Sequence, residues 1–421
     1  MAVSAILLCS LRVLVPIYFA ISSVEASLEE EDHGCRAYTV SGPDLGYFQN
    51  YHFSDFRAIP SVEDNDFTTA PPLVTSLQEN GGSPLTSSFF NQSTWQEYWS
   101  VHDGVRKPDS LIPPVYLAQN VFVARNSTPD AETDTYLTLR ASRPGAFVSA
   151  AEIELNIDQI LYASLRARLR VLPNGLSNLS APTAGPAEFL TDPDTSSNQS
   201  HPIDSGAVLG FFFYHNDTQE TDIEILTQDQ TNRVRYTNQP DYDASAREDI
   251  VSASSELVMP HGHVVTEWLD YRIDWFDGVS RWYINGDLVL NKTINVPSAP
   301  STVFMNLWSN GESWSGNMSV GAQVYVGVQW VEIAYNTSQS GGSDDRGEES
   351  CYVDSDDSNQ STVATETTST GAASTSTTSN SATSTSATST SAASSSGLYK
   401  VDNAYRVTIL PVLMGIWLCI T

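Results

Sequence analysis

An all-β fold, a two-sheet sandwich of jelly-roll type over residues 35–337, is what the sequence predicts. Three observations predict it: apolar residues alternate with a period of two, one dipeptide is a strong hairpin signal, and no stretch carries a convincing amphipathic helical period. Leu165, Ala167, Leu169 and Val171 alternate with Arg166, Arg168 and Arg170. Ala151, Ile153, Leu155 and Ile157 alternate in the same way with Glu152, Glu154 and Asn156. Strands are also expected at Tyr136 to Arg140, Tyr271 to Phe276, Ser280 to Ile284, Val303 to Trp308 and Gln323 to Tyr335. Asn285-Gly286, between Tyr283-Ile284 and Leu288-Val289, reads as a two-residue hairpin turn, because both positions tolerate positive φ. Val208 to Tyr214 is apolar apart from Gly210, which predicts an inner strand buried on both faces.

The two ends read as processing signals. Ala5 to Ile21 is apolar with one basic residue, Arg12, and Val24-Glu25-Ala26 offers small residues for cleavage, so residues 1–26 are expected to be a secretory signal peptide. The alternative is an uncleaved signal anchor. Val407 to Thr421 is almost wholly apolar but shorter than the about 20 residues a spanning helix needs. With the polar spacer Leu398 to Arg406 and the small residues Ser395, Ser396 and Gly397 before it, residues 398–421 read as a GPI-attachment signal. Ser395 is the expected attachment site, a close neighbour being the alternative. The polar region 338–397 reads as a disordered stalk: from Ser358 to Gly397 there is no aromatic residue, Lys or Arg, and Ser381 to Thr385 recurs as Ser386 to Thr390. Nothing in it can bury enough apolar area to offset the entropy of ordering. Extended at about 3.1 Å per residue, the stretch from Ser358 to Gly397 would reach on the order of 120 Å.

Cys9 and Cys419 fall in the expected signals, leaving Cys35 and Cys351 at the edges of the folded region. In an oxidising compartment these two pair most simply; two free thiols are the alternative. Nine Asn-x-Ser/Thr sequons, at Asn91, Asn126, Asn178, Asn198, Asn216, Asn291, Asn317, Asn336 and Asn359, suit an extracellular surface. The formal net charge of −30, from 20 basic and 50 acidic residues, leaves no basic face to neutralise phosphates and argues against a nucleic-acid partner.

The chemistry is expected at Glu220-Thr221-Asp222-Ile223-Glu224-Ile225. On a strand, Thr221, Ile223 and Ile225 share one face and Glu220, Asp222 and Glu224 the other. The glutamate Cα atoms are about 13 Å apart, and twist with converging side chains can bring the carboxyls to the about 5–5.5 Å used by retaining glycosidases. Crowded anions also raise at least one pKa, as a general acid near neutral pH requires. The bare pattern fits a hydrated acidic edge strand equally well.

The motif Glu220 to Glu224 resembles the E-x-D-x-E signature of glycoside hydrolase family 16, jelly-roll endo-glycanases with a concanavalin A-like fold. Tyr47 to Arg57 looks like the opening strand of secreted fungal members. Trp268 to Trp275, followed by Trp282-Tyr283-Ile284-Asn285-Gly286, resembles the paired strands after the active site, and Asn306-Leu307-Trp308 with Trp314-Ser315-Gly316 the closing segment. The resemblance implies Glu220 as nucleophile, Glu224 as acid/base and Asp222 as the residue that holds and tunes the nucleophile. Thr221 departs from the usual aliphatic residue, which bears on packing more than on chemistry. Tyr236, Trp308 and Trp314 are candidate platforms for stacking a sugar face, although a packing role suits each ring as well. Neither a metal nor a cofactor is expected: His261 and His263 have no third ligand in view, and Glu152 with Glu154 reads as a solvated face.

These features lead to an expectation of a retaining endo-glycoside hydrolase, or transglycosylase, acting on cell-wall β-glucan with β-1,3 or mixed β-1,3/1,4 linkage. The protein is expected to be a monomer held at the cell surface by its lipid anchor. A non-catalytic glycan-binding wall protein on the same fold is the alternative, and a structural adhesin would account for the stalk alone. The anchor is checked by treating cells with phosphatidylinositol-specific phospholipase C, which is expected to release the protein. Recovery of an intact 407–421 peptide from mature protein would reject lipid attachment.

Overall fold

A computed structural model describes residues 35–43, 46–60, 70–76, 84–105, 109–126, 133–173, 203–340 and 350–354. The expected signal peptide, the stalk beyond residue 354, Ser395 and the C-terminal signal lie outside the described residues. The strands that frame the sandwich are, in chain order, β1 (Asn50–Asp55), β2 (Thr135–Ser142), β3 (Val148–Leu155), β4 (Ile160–Val171), β5 (Val208–Asn216), β6 (Gln219–Leu226), β7 (Arg233–Gln239), β8 (Leu269–Phe276), β9 (Val279–Ile284), β10 (Asp287–Lys292), β11 (Thr302–Trp308) and β12 (Gln323–Thr337).

One sheet runs β10–β9–β8–β4–β12, with β12 then pairing β1 along its C-terminal half and β2 along its N-terminal half. The other runs β7–β6–β5–β11–β3, extended past β7 by Ser254–Val258 and past β3 by Trp99–Val101. These framing pairs are antiparallel. The long alternating segments form the contact between the sheets: Leu165, Ala167, Leu169 and Val171 of β4 and Ala151, Ile153 and Leu155 of β3 are all buried in the main core. Alternation also places Phe211 and Phe213 of β5, Ile223 and Ile225 of β6 and Val303, Met305 and Leu307 of β11 in that core.

The expected turn is present. Asn285 (φ 48°) and Gly286 (φ 85°) join β9 to β10, and the Asn285 side chain accepts from the Asp270 amide at 2.9 Å. Two positive φ values match the strand twist, which is why Asn and Gly stand there. One expectation is corrected and one element is added. Among the described residues there is one short α-helix, Ser93–Tyr98, too brief to show an amphipathic period; it seats Trp95 in the core against Phe89 and Phe90. And β5 is not buried on both faces: Phe212 and Tyr214 are half-buried on the side away from the core, because only alternate residues reach the second sheet.

Cys35 and Cys351 form a disulfide, with Cα atoms 5.7 Å apart across a separation of 316 residues. Beside it, Ala37–Val40 pairs antiparallel with Gly46–Phe48 and parallel with Ser350–Tyr352, so the ordered body extends past residue 337. Asp354 then accepts from Arg166 at 2.6 Å and from Arg272 at 3.3 Å, while Arg272 also holds Asp274 through two bonds at 2.6 and 2.7 Å. Nearly buried arginines on the outer face of the β4–β8 pair are thus compensated by a carboxylate from the C-terminal segment. Replacing both cysteines by serine is expected to lower unfolding stability by about 2–5 kcal/mol, measured by urea denaturation, because the link closes almost the whole folded chain.

Candidate active site

The open face of the β7–β6–β5–β11–β3 sheet carries the candidate chemistry. Thr221 (0% exposed), Ile223 and Ile225 pin one face of β6 to the core, so Glu220, Asp222 and Glu224 project from the other. Register then selects their neighbours. Glu220 stands between Tyr214 and Gln239, Asp222 between Phe212 and Thr237, and Glu224 between Gly210 and Arg235. Beyond Gly210 comes Asn306, and beyond that Glu152. A Cβ on Gly210 would lie 2.7 Å from Asn306 Oδ1, so this place beside Glu224 admits only glycine without movement of Asn306.

Burial dominates the electrostatics. Asp222 is 2% exposed, and its pKa is raised well above the usual range by burial, then by the charges of Glu224, Glu220 and Asp241. Thr237 favours its ionised form, while Oδ1 has no hydrogen-bond partner among the described residues. The Glu224 carboxyl is pushed up to about 7, first by burial. Against that shift the Trp314 indole donates its Nε1 proton to Glu224 Oε1 at 3.3 Å, and Arg235 adds a positive charge; Asp241 reinforces the rise. A carboxyl that holds its proton to near neutrality can donate it to a leaving group and take it back in a later step.

The aromatic candidates separate. Trp308 lies half-buried on the open face, two positions along β11 from Asn306, and Trp314 stands beside Glu224. Tyr236 does not reach this face. It is directly opposite Ile223, shares its direction, and is 1% exposed against Trp282 in the core, so no ring face is free for a sugar. Other rings were missed. Phe212 and Phe304 stack with centroids 5.6 Å apart, and Tyr214 meets Phe304 edge-on at 6.0 Å, all on the open face. The alternation in Val208 to Tyr214 and Val303 to Trp308 contained that signal, since these rings fall on the parity opposite to the core residues.

Glu152 and Glu154 are not simply solvated. His102 bridges them, with Nδ1 2.7 Å from Glu152 and Nε2 2.7 Å from Glu154. Burial opposes the charge on His102, but the two carboxylates push its pKa up to about 9. Glu152 also accepts from Asn306 Nδ2 at 3.2 Å. His261 and His263 have separate carboxylate partners, Asp287 at 2.8 Å and Glu267 at 2.7 Å. Asp241 and Arg235 join the site only through register and loop path, and no local pattern announced them; Asn306 stood in the closing segment Asn306-Leu307-Trp308, but its place beside Gly210 follows from register.

No family model matches the chain. A beta-glucanase of Paenibacillus polymyxa is 32% identical over 142 residues, covering 31% of this chain and 55% of that protein. A beta-glucanase of Paenibacillus macerans is 30% identical over 142 residues, with the same 31% and 55% covered. The chain spans about half the length of the curated relatives it matches, 55% in both cases. Among solved structures, a Bacillus licheniformis beta-glucanase aligns over 62% of this chain and 100% of its own, at 19% identity and a TM-score of 0.41. The fold and its carboxylate-bearing open face define a jelly-roll sandwich built around an acidic site. Over the matched 142 residues the chain is similar in sequence to these beta-glucanases.

The raised carboxyls carry a stability signature. A carboxyl whose folded pKa exceeds its unfolded value of about 4.3 contributes most below that value, and its contribution is lost as pH rises through the folded pKa. For Glu224 that window closes at about 7. Thermal melts are expected to show Glu224→Gln matching wild type near pH 4 and melting above it at pH 8.

Proposed function

We propose that this protein is a retaining, endo-acting glycoside hydrolase of β-glucan, with Glu220 as nucleophile, Glu224 as acid/base and Asp222 as the residue that positions and tunes the nucleophile. The observation that carries this reading is the face of β6: three carboxyl groups point away from the core, and Glu224 keeps its proton to about 7. The relatives' printed name, beta-glucanase, supports the substrate class. β-1,3 and mixed β-1,3/1,4 glucans are the proposed polymers.

In the first step the Glu220 carboxylate bonds to the anomeric carbon while the bond to the glycosidic oxygen breaks, and that oxygen takes the Glu224 proton. In the second, Glu224 accepts a proton from water, whose oxygen displaces Glu220 and restores it. A sugar hydroxyl in place of water gives transglycosylation. The half-buried rings of Trp308, Phe212 and Tyr214 offer apolar surface to pyranose faces. We further read the mature protein as secreted, glycosylated and lipid-anchored at the cell surface or wall. The disulfide supports export, as do six described sequon asparagines, Asn91, Asn126, Asn216, Asn291, Asn317 and Asn336, none of which is buried.

Assay of the purified protein on a glucan panel tests the assignment. Glu220→Gln is expected to reduce turnover by about 10³-fold or more while retaining glucan binding. Glu224→Gln is expected to cost about 10²–10⁴-fold on glucan and far less on an aryl glycoside whose leaving group needs no proton. Asp222→Asn should leave a weak residual rate, and proton NMR of nascent product should show retained β-configuration. Wild-type turnover in Glu220→Gln would place the chemistry elsewhere, and glucan binding without turnover in the wild type would support the binding-protein alternative.

A further inference from the structure

We propose that Arg235 is a positioning residue for the Glu224 carboxyl, acting through the indole of Trp314. This rests on the reading of Glu224 as the proton donor. Arg235 stands directly across the ladder from Glu224, on the same face of the sheet. Its guanidinium carbon lies 4.8 Å from the Trp314 ring centroid, and the same indole donates to Glu224 Oε1 at 3.3 Å. Cation, ring and carboxyl therefore form a closed circuit, in which the cation holds one ring face and sets the direction of the N–H.

The guanidinium is itself fixed. Its Nε donates to Asp229 Oδ2 at 2.9 Å, and its Nη2 reaches Asp229 Oδ2 at 2.9 Å and Glu256 Oε2 at 2.8 Å. Asp229 belongs to the turn after β6 and Glu256 to the neighbouring strand Ser254–Val258, so two backbone elements hold one planar fork. The loop bearing Trp314 has a separate tether, Gln228 Nε2 to the Ser313 carbonyl at 3.1 Å. Losing Arg235 would thus free the ring more than the loop.

A simple edge salt bridge predicts lost stability alone; a positioning role predicts altered proton donation. The groups that act on Glu224 are Arg235 and Trp314, which favour the carboxylate, and Asp241, which opposes it. Asp222, on the same strand, is raised by the Glu224 charge, and Gly210 across the ladder carries none. Removing Arg235, or letting the indole turn away, therefore moves Glu224 protonation upward.

The test compares wild type with Arg235→Met, Arg235→Gln, Arg235→Lys, Trp314→Phe and the Arg235→Met/Trp314→Phe pair, using mixed-linkage β-glucan and laminarin. For Arg235→Met or Arg235→Gln the alkaline limb of kcat/KM is expected to rise by about one pH unit, with kcat down about tenfold and KM little changed. Arg235→Lys should recover the limb, since it keeps the charge. In the Trp314→Phe background, Arg235→Met should cost no further kcat. An unmoved limb with unchanged kcat, or an equal loss with and without Trp314, overturns the proposal. A substrate-free reading separates this outcome from failure of the glucanase assignment. Trp314 fluorescence, taken as wild type minus Trp314→Phe, is expected to titrate with Glu224 and to lose that transition in Glu224→Gln. Its midpoint should rise in Arg235→Met; a fixed midpoint in that folded variant overturns the proposal whether or not glucan is cleaved.

Discussion

The register of β6 between β5 and β7 holds the functional surface in place. Thr221, Ile223 and Ile225 are buried with Phe211, Phe213 and Tyr236 on the core side, and that packing leaves the three carboxyl groups a single direction. A slip by one residue would drive Glu220, Asp222 and Glu224 into the core and expose three apolar-side residues. Burying three carboxyl groups there would be far more costly than burying one paired polar group, so the core keeps the site in register. Gly210 and Asn306 follow from the same alignment, one leaving space beside Glu224 and the other donating to Glu152.

The site concentrates acid where folding alone would avoid it. Asp222 is almost fully enclosed, with Glu220, Glu224 and Asp241 acting on it, and an oxygen of its carboxyl has no hydrogen-bond partner among the described residues. Arg235 and the Trp314 indole moderate the rise at Glu224 without cancelling it. The balance leaves a proton on Glu224 near neutrality, at a cost in stability above that pH. On the far side of the floor, His102 meets a similar concentration of charge differently, as a cation between Glu152 and Glu154.

The other sheet holds the two edges of the described body. The disulfide, the small three-stranded sheet and Asp354 gather residues 35–48 and 350–354 onto the outer face of β4 and β8, behind the core and away from the carboxyl groups. Their contribution is to stability and leaves the open face of the inner sheet to chemistry.

Local chain geometry made much of this legible. A period of two is a property of the extended backbone, so the alternation in Leu165 to Val171, in Ala151 to Ile157 and along Glu220 to Ile225 placed core and open faces before any tertiary contact was known. Asn285-Gly286 was readable because its backbone angles are a local demand. Tyr236 shows where such reading stops. Its chemistry suited a sugar platform, but its direction depended on standing opposite Ile223, and that pairing belongs to two strands together. Arg235 and Asp241, from the next strand and the loop after it, and His102 and Asn306, from far along the chain, have the same origin, since strand pairing and loop path bring them to the site. The sequence by itself determined which residues of each strand share a face, because that periodicity is written into every extended segment. Only the tertiary structure decided which faces meet and which charges stand beside Glu224, because register is set by the packing of the whole sandwich.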